Sequence, residues 1–287
     1  MNKYLTAAAL LVLLLVCLCA CGKKSDDEDI HKYKKVGKYD ADINDQVPTA
    51  GESDLEPPEQ KPGTTATPTN TPKPKQQYVV VLDPGHGGNQ PGASYDGRVE
   101  KTLNLKLAML VRDYLTTHYD NITVYMTREE DMRLSSDLGE DLRKRVEIGV
   151  EKNADILVSL HLNASDGHDQ HGSLVCVSKQ PNVAEGCRQL AECILKRLEG
   201  LGLENHGTLK RNSNDTFDDN GVPVDYYAIN RHGAANNLIA VIVETCYIDN
   251  STDAKYLQTD DALQRLAAAE AEGIVEFLDK YYKSNKQ

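Results

Sequence analysis

Tryptophan is absent from the 287 residues and phenylalanine occurs twice. No long run of aromatic side chains is available as a stacking platform for single-stranded nucleic acid. A basic excess is missing too: 32 Lys and Arg stand against 44 Asp and Glu, a formal net charge of −12. Nucleic-acid binders need a basic face, so this balance argues against one. None of the seven cysteines is spaced C-x-x-C, which removes zinc knuckles and dithiol redox motifs. Three of them, Cys17, Cys19 and Cys21, fall in the first 21 residues and leave Cys176, Cys187, Cys193 and Cys246. Cys176 and Cys246 lie in or beside expected strands and read as small apolar residues. Cys187 and Cys193 share one expected helix and do not bridge easily.

One uncharged apolar run stands out, Leu5 to Ala20, preceded by Lys3. A membrane span takes about 20 apolar residues, so this shorter run has the shape of an export signal. It ends in Leu18-Cys19-Ala20-Cys21-Gly22, which resembles a bacterial lipobox. Residues 1–20 are therefore expected to form a lipoprotein signal peptide, with Cys21 the lipidated residue. An ordinary signal peptide or an N-terminal anchor is the competing reading, and each places the folded part outside the cytoplasm. Residues 22–77 hold seven of the eleven prolines and only five residues from Ile, Leu and Val. Such a stretch buries too little apolar area to offset its ordering entropy. Residues 21–77 are thus expected to be a tether, acidic first and then Thr/Pro-rich, averaging roughly 40 Å if flexible.

From Tyr78 the pattern changes. Tyr78 to Leu82, Ile122 to Met126, Asp155 to Leu160, Ser173 to Ser178 and Ile239 to Val243 are short apolar runs of the kind buried strands use. Stretches of helical spacing separate or follow them: Leu103 to Tyr114, Leu138 to Lys152, Ala184 to Leu198 and Asp261 to Tyr281. The alternation predicts one α/β domain over 78–287, with a mostly parallel mixed sheet covered by helices on both faces. In such sheets ligands sit beyond the carboxyl ends of the strands, so the residues after the strands are expected to converge. Asn205 to Asn237 is long and polar, and reads either as a rim of that edge or as a surface loop.

The strand ends carry the chemistry. The first strand runs into Asp83-Pro84-Gly85-His86-Gly87-Gly88, the third into His161-Leu162-Asn163, and the last into Glu244-Thr245-Cys246; Glu100 stands just before the first helix. Singly, each has a bland reading as a turn, core or capping residue. Jointly, two imidazoles and a carboxylate are the donor set of a catalytic zinc site, which keeps one position open for water. Glycines beside His86 let the backbone turn and leave room above the metal. A further carboxylate, Glu244, is then available for proton transfer. His168 and His171 lie in a polar loop and read as solvated.

These motifs resemble the zinc-dependent N-acetylmuramoyl-L-alanine amidases of bacterial cell-wall turnover (amidase type 3). The resemblance covers about residues 78–282. It is carried by Val81 to Gly88, Val99-Glu100-Lys101 with Asn104-Leu105, Thr127-Arg128, Arg145, Ser159 to Ala164, and Val243-Glu244 followed by Ile248-Asp249-Asn250 and Asp253. It implies a six-stranded, phosphorylase/hydrolase-like α/β fold and one zinc ion on His86, Glu100 and His161, with Glu244 catalytic. The implied substrate is peptidoglycan, cut between the lactyl group of N-acetylmuramic acid and L-alanine. Asn163 and Arg231 would contact substrate or oxyanion. A catalytically inactive peptidoglycan-binding module and a zinc peptidase acting within the stem peptide are the alternatives. Leu238-Ile239 and Cys246-Tyr247 depart from the family pattern, where a Pro and a Gly-Phe are common. The short stretch between His161 and Ser173 leaves no room for the helical plug of some relatives. The domain holds 33 acidic and 22 basic residues, so it is not drawn at long range to an anionic wall; a lipid anchor in the membrane would supply proximity instead.

Overall fold

The computed structural model describes residues 77–284, and the expected signal peptide, Cys21 and tether lie outside them. In chain order the elements are β1 (Tyr78–Pro84), β2 (Ser94–Tyr95), β3 (Arg98–Val99), α1 (Glu100–His118), β4 (Ile122–Met126), α2 (Leu138–Glu151), β5 (Ile156–Asn163), β6 (Ser173–Cys176), α3 (Ala184–Gly200), β7 (Asn205–Leu209), β8 (Asn212–Phe217), β9 (Pro223–Asp225), α4 (Ala228–Ala235), β10 (Ile239–Tyr247) and α5 (Asp260–Ser284). No helix among the described residues is long and apolar enough to cross a membrane.

Six strands form one sheet in the order β4-β1-β5-β10-β6-β7. The first four are mutually parallel, β6 is antiparallel to β10, and β7 is parallel to β6. This is the expected mostly parallel mixed sheet. Both faces of the central strands are buried, which is why their sequences read as continuous apolar runs rather than alternating ones. Val80, Leu82, Val158, Leu160, Val241 and Val243 face one core with α1, α3 and α5. The other face is covered by α2 and α4 and turns polar toward its carboxyl edge, at Asp83, Ser159, His161 and Glu244.

Local chemistry sets the helix ends. Asp137 caps α2 by accepting from Glu140 N at 2.7 Å, and Thr259 Oγ1 accepts from Ala262 N at the start of α5. Glu100 stands at the amino end of α1, where the helix dipole favours an anion.

The 205–237 segment differs from the expected loop. It contributes the sixth strand, β7, then the β8–β9 hairpin and α4. Asn205-His-Gly-Thr-Leu209 has little β propensity, so its pairing with β6 decides its conformation. The base of the hairpin is pinned by Asp225, which accepts from Ser178 Oγ and Lys179 N. Cys176 of β6 pairs with Ile242, and Leu174 with Glu244. The hairpin base, past Cys176, therefore lies toward the amino end of β10 and away from Glu244, whereas Asn205, paired with Ser173, opens the segment at the carboxyl edge. Residues 164–172 contain no helix, as expected. All four described cysteines are free thiols, and Cys176, Cys187 and Cys246 are buried.

Candidate metal centre

From β1 the chain crosses to β4, and from β5 to β6 on the opposite side, so the connections diverge at the carboxyl ends of β1 and β5. Open α/β sheets place ligands in that kind of crevice. His86 follows β1 by two residues, His161 lies near the end of β5, and Glu100 opens α1. One donor atom from each lies within 4.8 Å of the others. Glu100 Oε1 is 3.1 Å from His86 Nε2 and 3.0 Å from His161 Nδ1. The two imidazole rings meet edge to face with centroids 4.9 Å apart.

The surroundings hold this geometry. Glu100 Oε2 accepts from Ala93 N at 2.8 Å, and Oε1 accepts from Leu162 N at 3.2 Å and Asn104 Nδ2 at 3.3 Å. Burial raises the Glu100 carboxyl, but the charge of His86 and the bonds from both imidazoles outweigh it and hold the carboxyl well below its ordinary range. A Cβ at Gly85 would stand 2.2 Å from His161 Cε1 and Nε2, so only glycine lets that ring lie where it does. At Gly92, φ is +69° and a Cβ would stand 2.4 Å from Glu100 Oε2. His86 itself has φ 63°, a left-handed conformation rare for a residue with a side chain.

Beneath the His86 loop lies a buried ionic frame. Asp83 Oδ1 accepts from Arg145 Nη1 at 2.9 Å and from Thr127 Oγ1 at 2.5 Å, and Oδ2 from Ser159 Oγ at 2.6 Å. Arg145 also donates to Pro84 O at 3.0 Å and His86 O at 2.8 Å. Arg128 donates to Pro84 O at 2.9 Å and to Gly85 O at 3.0 Å. Two guanidinium groups thus clamp three consecutive carbonyls of the loop. Burial raises the Asp83 carboxyl, yet Arg145, Ser159 and Thr127 together bring it below its usual value. Burial and the charge of Arg145 lower Arg128 to about 10. In the sequence these residues stand out only as members of motifs; their work as a clamp is set by contacts across 43 to 62 residues.

Glu244 is buried and pairs in register with His161 on the neighbouring strand. Asn163 is buried, and its Oδ1 accepts from Ala164 N at 2.9 Å. Arg231 Nη1 donates to the carbonyls of Asp225 and Tyr226 at 3.1 and 3.2 Å, at the base of the hairpin. The residues that depart from the family pattern are core: Leu238, Ile239, Cys246 and Tyr247 are all buried. Two imidazole nitrogens and one carboxylate oxygen, close together in a glycine-lined crevice, fit a single zinc ion.

Residues 80–276 match the model of a family described as N-acetylmuramoyl-L-alanine amidase. The chain belongs to that family. It is 30% identical over 208 residues to the endolysin of Bacillus phage SPP1, covering 72% of this chain and 68% of that one. It is 27% identical over 195 residues to a sporulation-specific N-acetylmuramoyl-L-alanine amidase of Bacillus subtilis, covering 68% and 66%. The chain thus spans about two thirds of the length of these relatives. Among solved structures, the amidase fold recurs in the catalytic domain of CwlV from Bacillus (Paenibacillus) polymyxa, with 26% identity, TM-score 0.56, and coverage of 71% and 99%. It recurs in the CwlD amidase of Clostridioides difficile, solved with the GerS lipoprotein, with 25% identity, TM-score 0.58, and coverage of 71% and 99%. The amidase family and the α/β fold expected from the motifs both hold.

Proposed function

We propose that the chain hydrolyses the amide between the lactyl group of N-acetylmuramic acid and L-alanine of the stem peptide in peptidoglycan. One zinc ion would be held by His86, Glu100 and His161, with Glu244 as the general base. The observation that carries this reading is the approach of the three donor atoms to within 4.8 Å. Zinc, when bound, supplies a Lewis acid that makes water acidic near neutral pH and offsets developing oxyanion charge. Glu244, beside His161, takes the proton of the attacking water and returns it to the leaving L-alanine nitrogen. The Arg128 and Arg145 clamp fixes the His86 carbonyl and its neighbours, and so the direction of that imidazole. Export and lipidation at Cys21 would anchor the enzyme to the membrane facing the wall, which suits an acidic domain that long-range attraction does not deliver.

The test incubates the zinc-loaded full chain with purified peptidoglycan and identifies products by mass spectrometry. Stem peptides beginning at L-alanine are expected, abolished by a chelator and restored by zinc. Glu244→Gln should lower release at least ~100-fold with zinc content unchanged, the range of general acid–base catalysis. Fragments cut within the stem peptide would show a peptidase instead. Muropeptide binding without turnover in either protein would show a binding module.

A further inference from the structure

A second imidazole site stands at the same sheet edge. His168, on the loop that leaves β5, has Nδ1 2.8 Å from Asp249 Oδ2. The Asp249 side chain is 3% exposed and that of His168 is 51% exposed. Ser165 N donates to the same Oδ2 at 2.8 Å, and Asn250 Nδ2 donates to His168 O at 2.9 Å. Asp249 Oδ1 is buried with no hydrogen-bond partner. His168 also takes a left-handed φ of 55°. A buried carboxylate is costly unless paired or used, and a left-handed backbone strains a residue with a side chain. Core packing does not explain these costs, because the imidazole they orient is half in solvent.

Tyr95 meets that imidazole from the other side, with ring centroids 4.7 Å apart. Its own ring is 38% exposed. Tyr95 lies on the β2–β3 hairpin that leads into Glu100, and Ala93, just before the hairpin, donates to Glu100 Oε2. The Tyr95–His168 contact therefore joins the segment carrying His86 and Glu100 to the loop leaving His161.

We propose that Tyr95 and His168 form the subsite for the N-acetylmuramic acid ring of the substrate, with Asp249 as the positioning residue that aims His168 Nε2. This inference rests on the amidase reading above. An exposed aromatic face takes the apolar side of a pyranose, and a fixed imidazole edge takes one of its polar groups. The same two loops expose Asp96, Asp166 and Asp169, against one cation, Arg98, which lies 3.8 Å from Asp96 and 5.9 Å from the Tyr95 ring centre; the net acidic border favours a neutral ring over the carboxylates of a stem peptide. The muramyl residue is neutral while its lactyl amide is intact.

Two measurements on the full chain test this. In the zinc-loaded Glu244→Gln protein, affinity is read by calorimetry for muramyl tetrapeptide and for the free tetrapeptide. Adding His168→Ala should weaken muramyl tetrapeptide about tenfold, the worth of a single hydrogen bond, and leave the free tetrapeptide within twofold. In the otherwise unaltered chain, His168→Ala and Asp249→Asn should raise KM with kcat within threefold. Tyr95→Ala should do the same, and Tyr95→Phe should restore the parent value. Equal loss for both ligands, no loss, no binding of muramyl tetrapeptide to the parent, or a fall in kcat and thermal stability at constant KM would each overturn the inference. Failure of the amidase reading shows separately, as absence of turnover by the unaltered chain.

Discussion

Glu270 on α5 is fully buried behind the strand that carries Glu244. Thr245 Oγ1 donates to its Oε1 at 2.6 Å, and Oε2 is buried with no hydrogen-bond partner. Burial pushes the carboxyl up to about 8 from an ordinary 4.5, against a smaller lowering by Thr245. Below pH 4.5 both folded and unfolded chains hold this proton, and the group is neutral in the balance. Between 4.5 and about 8 the unfolded chain releases it freely while the folded chain retains it, so stability falls as pH rises. Above about 8 both are ionised and the loss levels off. A difference of one in pKa is worth ~1.36 kcal/mol, so the full loss is about 5 kcal/mol. That is a large fraction of the ~5–15 kcal/mol that a domain has in hand. Glu270→Gln keeps the acceptor for Thr245 and removes the titration. Urea denaturation of both full-length proteins at pH 5, 6, 7 and 8 should show the variant gaining on the parent at each step, by about 3–4 kcal/mol in all between pH 5 and 8. All other titrating groups are common to the two chains and cancel in the difference. A gap independent of pH would refute the reasoning, because it would mean that Glu270 ionises alike in the folded and unfolded chains.

Two further substitutions probe the frame of the metal centre. Gly85→Ala places a Cβ 2.2 Å from the His161 ring, so zinc affinity, read by competition with a chromogenic chelator, should fall at least ~10-fold with far-ultraviolet circular dichroism unchanged; unchanged affinity would contradict the close approach. Asp83→Ala leaves Arg145 buried with only Asp141, 3.1 Å away, for compensation, and should cost about 3 kcal/mol in urea denaturation at pH 7. The Asp83 carboxyl is held below its ordinary 3.8. Its contribution is therefore present above that pH and lost as pH falls through the folded value, so the variant and parent should converge in acid.

The donor set is legible because parallel strands buried on both faces are monotonous. Against Val-Val-Val-Leu and Ile-Leu-Val-Ser-Leu, an Asp-Pro-Gly-His or a His-Leu-Asn announces the strand end, and the ligand rule of α/β sheets does the rest. β7 is not legible, because Asn-His-Gly-Thr-Leu is extended only by virtue of the edge it pairs with. The arginine clamp is hidden for a different reason. Nothing local in Thr127-Arg128 or Arg143-Lys144-Arg145 separates a buried guanidinium from an exposed one. The partners are carbonyls of residues 84 to 86, supplied by the tertiary fold.

Glu270 lies between these cases. In Ala267-Ala-Ala-Glu-Ala-Glu272 the composition suggests two solvated acids. Helical phase separates them: Leu266, Glu270 and Ile274 are four apart and share one stripe, and all three are fully buried. Glu272 falls off that stripe and binds Arg197 and Tyr114 at the surface. A carboxylate on an otherwise apolar stripe is thus an anomaly that helical phase alone exposes, whereas its partner Thr245 comes from a strand 25 residues away. The two kinds of buried acid at this sheet then call for opposite treatment. Asp83 and Glu100 are compensated by guanidinium and imidazole groups, and removing either strands a charge and disturbs the donor set. Glu270 is compensated by one hydroxyl. Above the ordinary carboxyl range, a neutral isostere there should stabilise the domain and leave the candidate metal donors in place, which makes it a position at which stability can rise without disturbing the site.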